Sequence, residues 1–327
     1  MNWENFLSLL GGLALFLYGM QMMGNGTQAA AGKQLKKILE KLTANRFLGV
    51  LSGVVITAVI QSSSATTVMV VGFVNSGMMT LHQAVWVIMG ANIGTTVTGQ
   101  LIALNAGAAA PFFAFIGVIM VVFVRKRLLN DIGSILAGFG VLFIGMNMMG
   151  NAMLPLRESK AFLELLTEVS DPLHGILAGS VFTALIQSSS ASLGILQALA
   201  SGGAIRLADA VYVLFGQNIG TCITAALASI GALRNAKRAM LLHLAFNLIG
   251  TSFFTIICML TPLTSFVEML TPSNVPAQIA NMHTLFNLTT TLLLLPFGTS
   301  LVRLTERILP EKSFCEYSKS LTGYTKD

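Results

Sequence analysis

Charged residues are scarce in this sequence. Lys, Arg, Asp and Glu make up 10% of its 327 residues, whereas soluble domains carry about 25%. The low charge excludes a soluble globular domain, and the 54% hydrophobic content with a mean hydropathy of +0.77 predicts an integral membrane protein. The net charge of +6 does not indicate a nucleic-acid partner, because the basic residues lie at the ends of the apolar segments.

Cysteine is also rare, and Cys222, Cys258 and Cys315 show no spacing typical of a disulfide framework or a metal site. The first two lie within apolar segments, so we expect reduced thiols packed in the membrane core. The sequence predicts neither a redox role nor a metal role for them, and it predicts no cofactor.

The apolar runs are separated by polar clusters and show little of the alternation typical of strands, which predicts an all-α membrane protein. The N-terminus lacks the basic region of a cleaved signal, so the first run is expected to stay as a span that ends at Gly24-Asn25-Gly26. An amphipathic helix over Lys33–Leu42 is expected at the membrane interface. The predicted spans are residues 6–24, 83–104, 108–124, 132–150, 209–230, about 238–261 and 279–302.

One polar stretch occurs twice inside the apolar sequence. Gln61-Ser-Ser-Ser64 returns 126 positions later as Gln187-Ser-Ser-Ser190, and polar side chains at membrane depth indicate function. Three consecutive serines cannot share one helix face, so the backbone is expected to unwind at each tetrad. As helix, residues 48–79 would extend about 48 Å, too long for one span and too short for two. We therefore predict two re-entrant hairpins, at 48–79 and 174–205, with a tetrad at each tip.

The tetrads belong to a longer internal duplication. Between residues 48–104 and 174–230, 24 of 57 positions are identical without a gap, which indicates duplication rather than shared composition. Both copies contain Gly-x-Asn-Ile-Gly-Thr, which is expected to interrupt the helix that carries it. The two repeats are predicted at residues 1–129 and 130–327, the second with one extra span and a short cytosolic tail.

The basic residues predict how the repeats lie in the membrane. A hairpin adds no crossing, so the first repeat crosses three times and the second must start from the opposite side. With the N-terminus outside and the C-terminus inside, 16 of 19 Lys and Arg are cytoplasmic, as the positive-inside rule requires. The prediction is an inverted-repeat secondary transporter of the cytoplasmic membrane, with about seven spanning helices and two re-entrant hairpins, that binds substrate near the midplane.

Paired Gln-Ser-Ser-Ser motifs in inverted repeats, each followed by Gly-x-Asn-Ile-Gly-Thr, resemble the type II sodium-dependent phosphate cotransporter family. The His-x-x-Phe-Asn segments at 243–247 and 283–287 resemble its bacterial members. The resemblance covers residues 6–302 and implies sodium-coupled symport of inorganic phosphate. Many bacterial members also carry a C-terminal domain that resembles the phosphate-signalling protein PhoU, and no such domain is expected here.

The resemblance implies that both tetrads bind phosphate and sodium, helped by the Asn-Ile-Gly-Thr segments. Helix N-termini at the tips favour an oxyanion, and hydroxyl and amide oxygens can coordinate sodium. The predicted phosphate ligands are Gln61, Ser62, Ser63, Ser64, Gln187, Ser188, Ser189 and Ser190. The predicted sodium ligands are Ser64, Thr66, Asn92, Thr95, Ser190, Ser192, Asn218 and Thr221. His243, Asn247, His283 and Asn287 are predicted to surround these ligands as a possible second layer. For each histidine, a hydrogen bond to a nearby Asn is favoured over a contact with the substrate.

Several alternatives remain at this stage. Sulfate or another oxyanion is the nearest rival substrate. A serine hydrolase is disfavoured because no Gly-x-Ser-x-Gly elbow and no intramembrane acid beside a histidine occur, and a channel or scaffold subunit would show no saturable sodium-dependent uptake. Sodium is favoured over the proton because no Asp or Glu lies within the interior of a predicted span or hairpin arm. The predicted partners are inorganic phosphate, sodium and the lipid bilayer, with the oligomeric state left open.

Overall fold

The computed structural model of the chain describes residues 3–31, 45–104 and 106–310, and every regular element in these ranges is helical. The predicted all-α membrane protein is therefore confirmed. The expected helix at Lys33–Leu42, Cys315 and the tail beyond Pro310 lie outside the described residues. The α-helices are α1 Trp3–Ala31, α2 Arg46–Ile60, α3 Ser63–Asn75, α4 Leu81–Ala103, α5 Ala110–Phe123, α6 Arg127–Met153, α7 Lys160–Val169, α8 Pro172–Ile186, α9 Ser189–Ser201, α10 Leu207–Gly220, α11 Cys222–Ala228, α12 Arg234–Leu260, α13 Leu263–Leu270, α14 Val275–Leu294 and α15 Gly298–Ile308.

Within these ranges, six helical stretches are long and apolar enough to cross a membrane, and they coincide with six of the seven predicted spans. The stretches are Trp3–Ala31, Leu81–Ala103, Arg127–Leu156, Leu207–Ala228, Arg234–Leu260 and Val275–Ile308. The remaining prediction, 108–124, corresponds to α5, an apolar helix of 14 residues. It extends about 21 Å, less than the roughly 30 Å of a hydrocarbon core. The chain is thus a multi-pass membrane protein, and α5 is one of three shorter apolar helices among the described residues.

Both tetrads lie where the chain folds back on itself. Gln61 and Gln187 have left-handed φ angles of 57° and 59° and end α2 and α8. The Thr57 hydroxyl donates to Thr66 Oγ1 over 3.0 Å, nine residues along the chain. In a continuous helix the same residues would be about 13.5 Å apart along the axis. Thr183 and Ser192 form the equivalent bond of 2.8 Å, so both predicted hairpins are present.

The contact between α1 and α6 shows how the repeats are oriented. A Cβ at Gly12 would lie 2.8 Å from the carbonyl oxygen of Gly145, and one at Gly19 would lie 2.6 Å from that of Gly138. Gly138 is the repeat equivalent of Gly12, and Gly145 that of Gly19, each 126 positions on. Equivalent glycines therefore exchange partners across one seam, with residue numbers rising along α1 as they fall along α6. The two equivalent helices run antiparallel, which is the defining property of an inverted repeat.

The predicted helix interruption is wrong for the first Asn-Ile-Gly-Thr segment, and in the second it is limited to the single residue Thr221. Helix α4 is continuous from Leu81 to Ala103, and Thr221 between α10 and α11 keeps helical angles of φ −58° and ψ −26°. The glycines of these segments serve close packing instead: a Cβ at Gly90 would collide with the Val50 carbonyl oxygen of α2, and one at Gly216 with the equivalent carbonyl of α8. Small residues at such crossings let helix backbones approach closely in membranes.

Two further differences concern α1 and the connection between the repeats. Helix α1 continues through Gly24-Asn25-Gly26 to Ala31, because Gly26 packs its backbone against α6 rather than ending the helix. Helix α7, which the sequence analysis did not predict, meets α8 at an angle of 102°. It has no buried residue, as expected for an amphipathic helix lying along the membrane surface.

Candidate functional site

The backbone of each hairpin tip follows from its tetrad. The glutamine takes the left-handed conformation that ends the incoming helix, and the first serine then caps the outgoing one. Ser62 Oγ accepts from the Ala65 N–H at 3.1 Å, and Ser188 Oγ accepts from the Ala191 N–H at 3.2 Å. The second and third serines lie in the first turn, where backbone N–H groups have no intrahelical acceptor. Each tip therefore presents free N–H groups and hydroxyls at the positive end of a helix dipole.

The two tips meet at one cavity of about 270 Å³. Seven of the eight predicted phosphate ligands line it: Gln61, Ser62, Ser63, Ser64, Ser188, Ser189 and Ser190. Gln187 does not line it and is exposed, whereas its equivalent Gln61 is only 9% exposed. The Gln61 amide oxygen is buried without a hydrogen-bond donor among the described residues. The repeats thus contribute unequally, with the glutamine coming from the first hairpin alone.

A third wall of the cavity comes from α1, which the sequence analysis missed. Its C-terminal half contributes Met20, Gln21, Gly24, Asn25 and Gln28. The three amide side chains recur at spacings of four and three residues, so they share one face of the helix. Amide side chains at this spacing within an apolar span indicate a polar helix face, and this pattern was visible in the sequence. It was overlooked because the span was expected to end at residue 24.

The lining of this cavity mixes polar and apolar groups, and among the described residues it contains no ionisable side chain. An anion can be bound there by serine hydroxyls and by free N–H groups at two helix N-termini. A hard cation can be coordinated by hydroxyl, amide and carbonyl oxygens. The lining residues that the structure describes offer no carboxylate or imidazole that could carry a proton alongside the substrate.

The predicted sodium ligands occupy three different settings. Ser64 and Ser190 line the cavity. Thr66 and Ser192 accept the hydrogen bonds that close the two hairpins. The other four residues are not brought to the cavity, and each donates to the carbonyl four residues earlier in its own helix: Asn92, Thr95, Asn218 and Thr221.

The His-x-x-Phe-Asn segments pack behind the site, against α10 and α11. His283 Nε2 lies 3.2 Å from Asn218 Oδ1, so the hydrogen bond favoured for this histidine is present. Asn247 Nδ2 lies 3.3 Å from the Cys222 sulfur, and Asn287 Nδ2 donates to the His283 carbonyl. The corresponding bond is not found for His243, because neither of its buried ring nitrogens has a partner among the described residues.

Inverted repeats with a cavity between two helix breaks are the architecture of many secondary transporters. The chain belongs to the Na+/Pi-cotransporter family, whose profile matches residues 15–151 and 155–272. This family consists of transporters rather than enzymes.

Several curated proteins resemble the chain. It is 34% identical over 302 residues to the uncharacterized protein YqeW of Bacillus subtilis (strain 168), covering 92% of this chain and 97% of YqeW. It is 26% identical to YjbB of Salmonella typhimurium, named provisionally as an inorganic phosphate export protein, over 94% of this chain but 56% of YjbB. It is 37% identical over 98 residues to sodium-dependent phosphate transport protein 2B of Homo sapiens, which is 29% of this chain and 14% of that protein. No solved structure matches the chain.

Proposed function

We propose that the chain is a sodium-coupled symporter of inorganic phosphate, with phosphate bound between the two hairpin tips. The observation that carries this proposal is the meeting of both tetrads, from oppositely oriented repeats, at one cavity. Ser63 and Ser189 begin helices α3 and α9 there and are 3% and 9% exposed. Two helix N-termini and several hydroxyls favour an oxyanion with several acceptor oxygens.

Sodium coupling is supported by a cavity whose described lining residues include no ionisable side chain, and by the names of distant relatives such as protein 2B. We place the cation beside the Ser64 and Ser190 hydroxyls and the unpartnered Gln61 amide oxygen. Thr66, Ser192, Asn92, Thr95, Asn218 and Thr221 remain predicted ligands whose hydroxyl and amide groups lie behind the tips.

The direction of transport depends on the gradients. The name of YjbB points to phosphate export, whereas symport with an inward sodium gradient drives uptake. We propose symport in the cytoplasmic membrane, with the N-terminus outside, and uptake wherever sodium is higher outside.

Transport by the purified protein in liposomes tests this proposal. Labelled phosphate uptake should saturate, require external sodium rather than choline, and resist competition by sulfate. Ser63→Leu and Ser189→Leu should each abolish uptake, because a bulky apolar side chain would fill the cavity. Ser252→Leu is the matched control, since Ser252 lies exposed on α12 away from the cavity.

Three results would contradict the proposal in different ways. Uptake that persists in choline would remove the sodium coupling. Stronger transport of sulfate than of phosphate would favour the alternative oxyanion. Normal uptake by a well-expressed Ser189→Leu variant would remove the second tetrad from the mechanism.

A further inference from the structure

Two adjoining cavities lie beside hairpin α8–α9, away from the serine-lined site. The first, of about 350 Å³, lies among α7, both hairpin arms and α10, and its lining is apolar except for Ser192, Asp209 and Gln217. The second, of about 560 Å³, lies at the end of α7 and includes Arg206. They share Leu166, Ile205 and Asp209 and therefore adjoin each other.

The position of this site suits a lipid. Helix α7 lies at 102° to α8, which is the arrangement expected of a surface helix beside a hairpin that enters the membrane. The apolar cavity follows one face of α10 from Asp209 to Gln217, a depth of about 12 Å. A slot that opens at the surface and continues among apolar side chains into the membrane fits an acyl chain below a headgroup.

The polar mouth carries both signs of charge. Arg206 Nε lies 3.2 Å from Asp209 Oδ2, and the Arg206 side chain is 78% exposed. A hydrogen bond from the Arg206 side chain to Asp209, together with the negative charge of Asp209, raises the pKa of the Arg206 guanidinium, and the charge of Glu268 adds a smaller contribution. The mouth of the site therefore carries one guanidinium paired with one carboxylate. A zwitterionic headgroup matches this pair, because it offers a phosphate to the arginine and a cation to Asp209.

We propose that this site binds phosphatidylethanolamine, with one acyl chain in the apolar cavity, the phosphate on Arg206 and the ammonium beside Asp209. Phosphatidylglycerol has the phosphate but no cation for Asp209. Phosphatidylcholine has a cation, but its trimethylammonium cannot donate hydrogen bonds to a carboxylate.

Occupancy of this site bears on the hairpin that carries Ser188 to Ser190. Ser192, Ile195, Leu196 and Leu199 line the apolar cavity from one face of α9. Gln217 Nε2 also donates to the Ser192 carbonyl at 3.2 Å. An acyl chain in the slot therefore contacts the hairpin along α9 residues that do not line the transport cavity.

Lipid retention by the delipidated full chain, measured by native mass spectrometry, tests the proposal independently of transport. Phosphatidylethanolamine should be retained about tenfold better than phosphatidylglycerol or phosphatidylcholine, as expected for one charge-assisted hydrogen bond. Arg206→Gln should remove this preference and Arg206→Lys should keep part of it. Leu199→Trp should reduce retention by filling the slot. Leu185→Trp, on the 76% exposed Leu185 of the same hairpin, should not.

Thermal unfolding of each variant establishes that it is folded before retention is compared. Equal retention of the three lipids by the unmodified chain would overturn the proposal. A preference for phosphatidylglycerol, or retention unchanged in both Arg206→Gln and Leu199→Trp, would also overturn it.

Discussion

The hydroxyl pairs that close the two hairpins give an internal comparison. Thr183→Val and Thr57→Val each remove one donor while nearly preserving side-chain shape. Both threonines and both acceptors are buried, with exposures of 1% or less. The two sites differ in whether the acceptor hydroxyl keeps another hydrogen bond after the threonine is replaced. The Thr66 hydroxyl also donates to the Ser62 carbonyl at 3.1 Å, whereas the Ser192 hydroxyl has no second bond among the described residues.

This difference sets the expected magnitudes. Thr57→Val loses one interhelical hydrogen bond but leaves no buried polar group without a partner. This loss should lower the free energy of unfolding by about 0.6 kcal/mol. Thr183→Val leaves the Ser192 hydroxyl buried without a partner, which should cost about 1 to 3 kcal/mol. The second variant should therefore be less stable than the first by about 1 kcal/mol, roughly a fivefold shift in the unfolding equilibrium.

Unfolding of the purified protein by SDS in mixed micelles measures both values. Thr255→Val is the matched control, because the Thr255 hydroxyl is buried and already lacks a partner among the residues that the structure describes, so its removal should cost nothing. In the double variant with Ser192→Ala, the loss should fall below that of Thr183→Val alone. A Thr57→Val variant as unstable as Thr183→Val would refute this account of the hairpins.

Three further predictions follow from packing, topology and charge. Gly19→Ala should destabilise the chain by about 1 to 3 kcal/mol, because the added Cβ would meet the backbone of α6. Gly72→Ala should be neutral or stabilising, because its Cβ would have nothing described within 4 Å. Equal thermal stability of the two variants would contradict the close packing of α1 against α6. A cysteine at Glu164 should react with an impermeant external reagent and one at Lys126 should not, and labelling of both from one side would contradict the inverted orientation. The backbone N–H of His174 lowers the pKa of the Asp171 carboxyl, which caps α8. Its stabilisation is present above the unfolded pKa of about 3.9 and lost as pH falls through the folded value. Asp171→Asn should therefore weaken the acid dependence of thermal unfolding, and an unchanged dependence would contradict this role.

The hairpins were predictable because their signal is both local and repeated. A polar tetrad in the middle of an apolar run that is too long for one span leaves few other solutions. The same tetrad 126 residues later removes coincidence. Both tips were predicted to lie at the same depth in the membrane. Seven of the eight residues of the two tetrads accordingly line one cavity.

The errors came from glycine, whose two uses look alike in a sequence. Gly24 and Gly90 were read as helix ends or breaks, yet both lie inside helices. Glycine permits a break because it lacks a Cβ, and it permits close backbone approach for the same reason. Only the partner helix decides between these uses, and the partner is distant in the sequence. The contribution of α1 to the cavity was lost through the first of these readings.

The glycine seam between α1 and α6 has a consequence for energetics. Because Gly12 meets the counterpart of Gly19 and Gly19 meets the counterpart of Gly12, the seam maps onto itself when the repeats exchange conformations. If transport proceeds by that exchange, the α1–α6 interface keeps the same contacts in both states. Its packing energy then stabilises the inward-facing and outward-facing states equally. The free-energy difference between those states then resides in positions where the repeats differ, such as Gln28 in α1 and Leu154 at its equivalent. Substitutions at such unmatched pairs should bias the resting orientation, whereas paired substitutions along the seam should change stability alone.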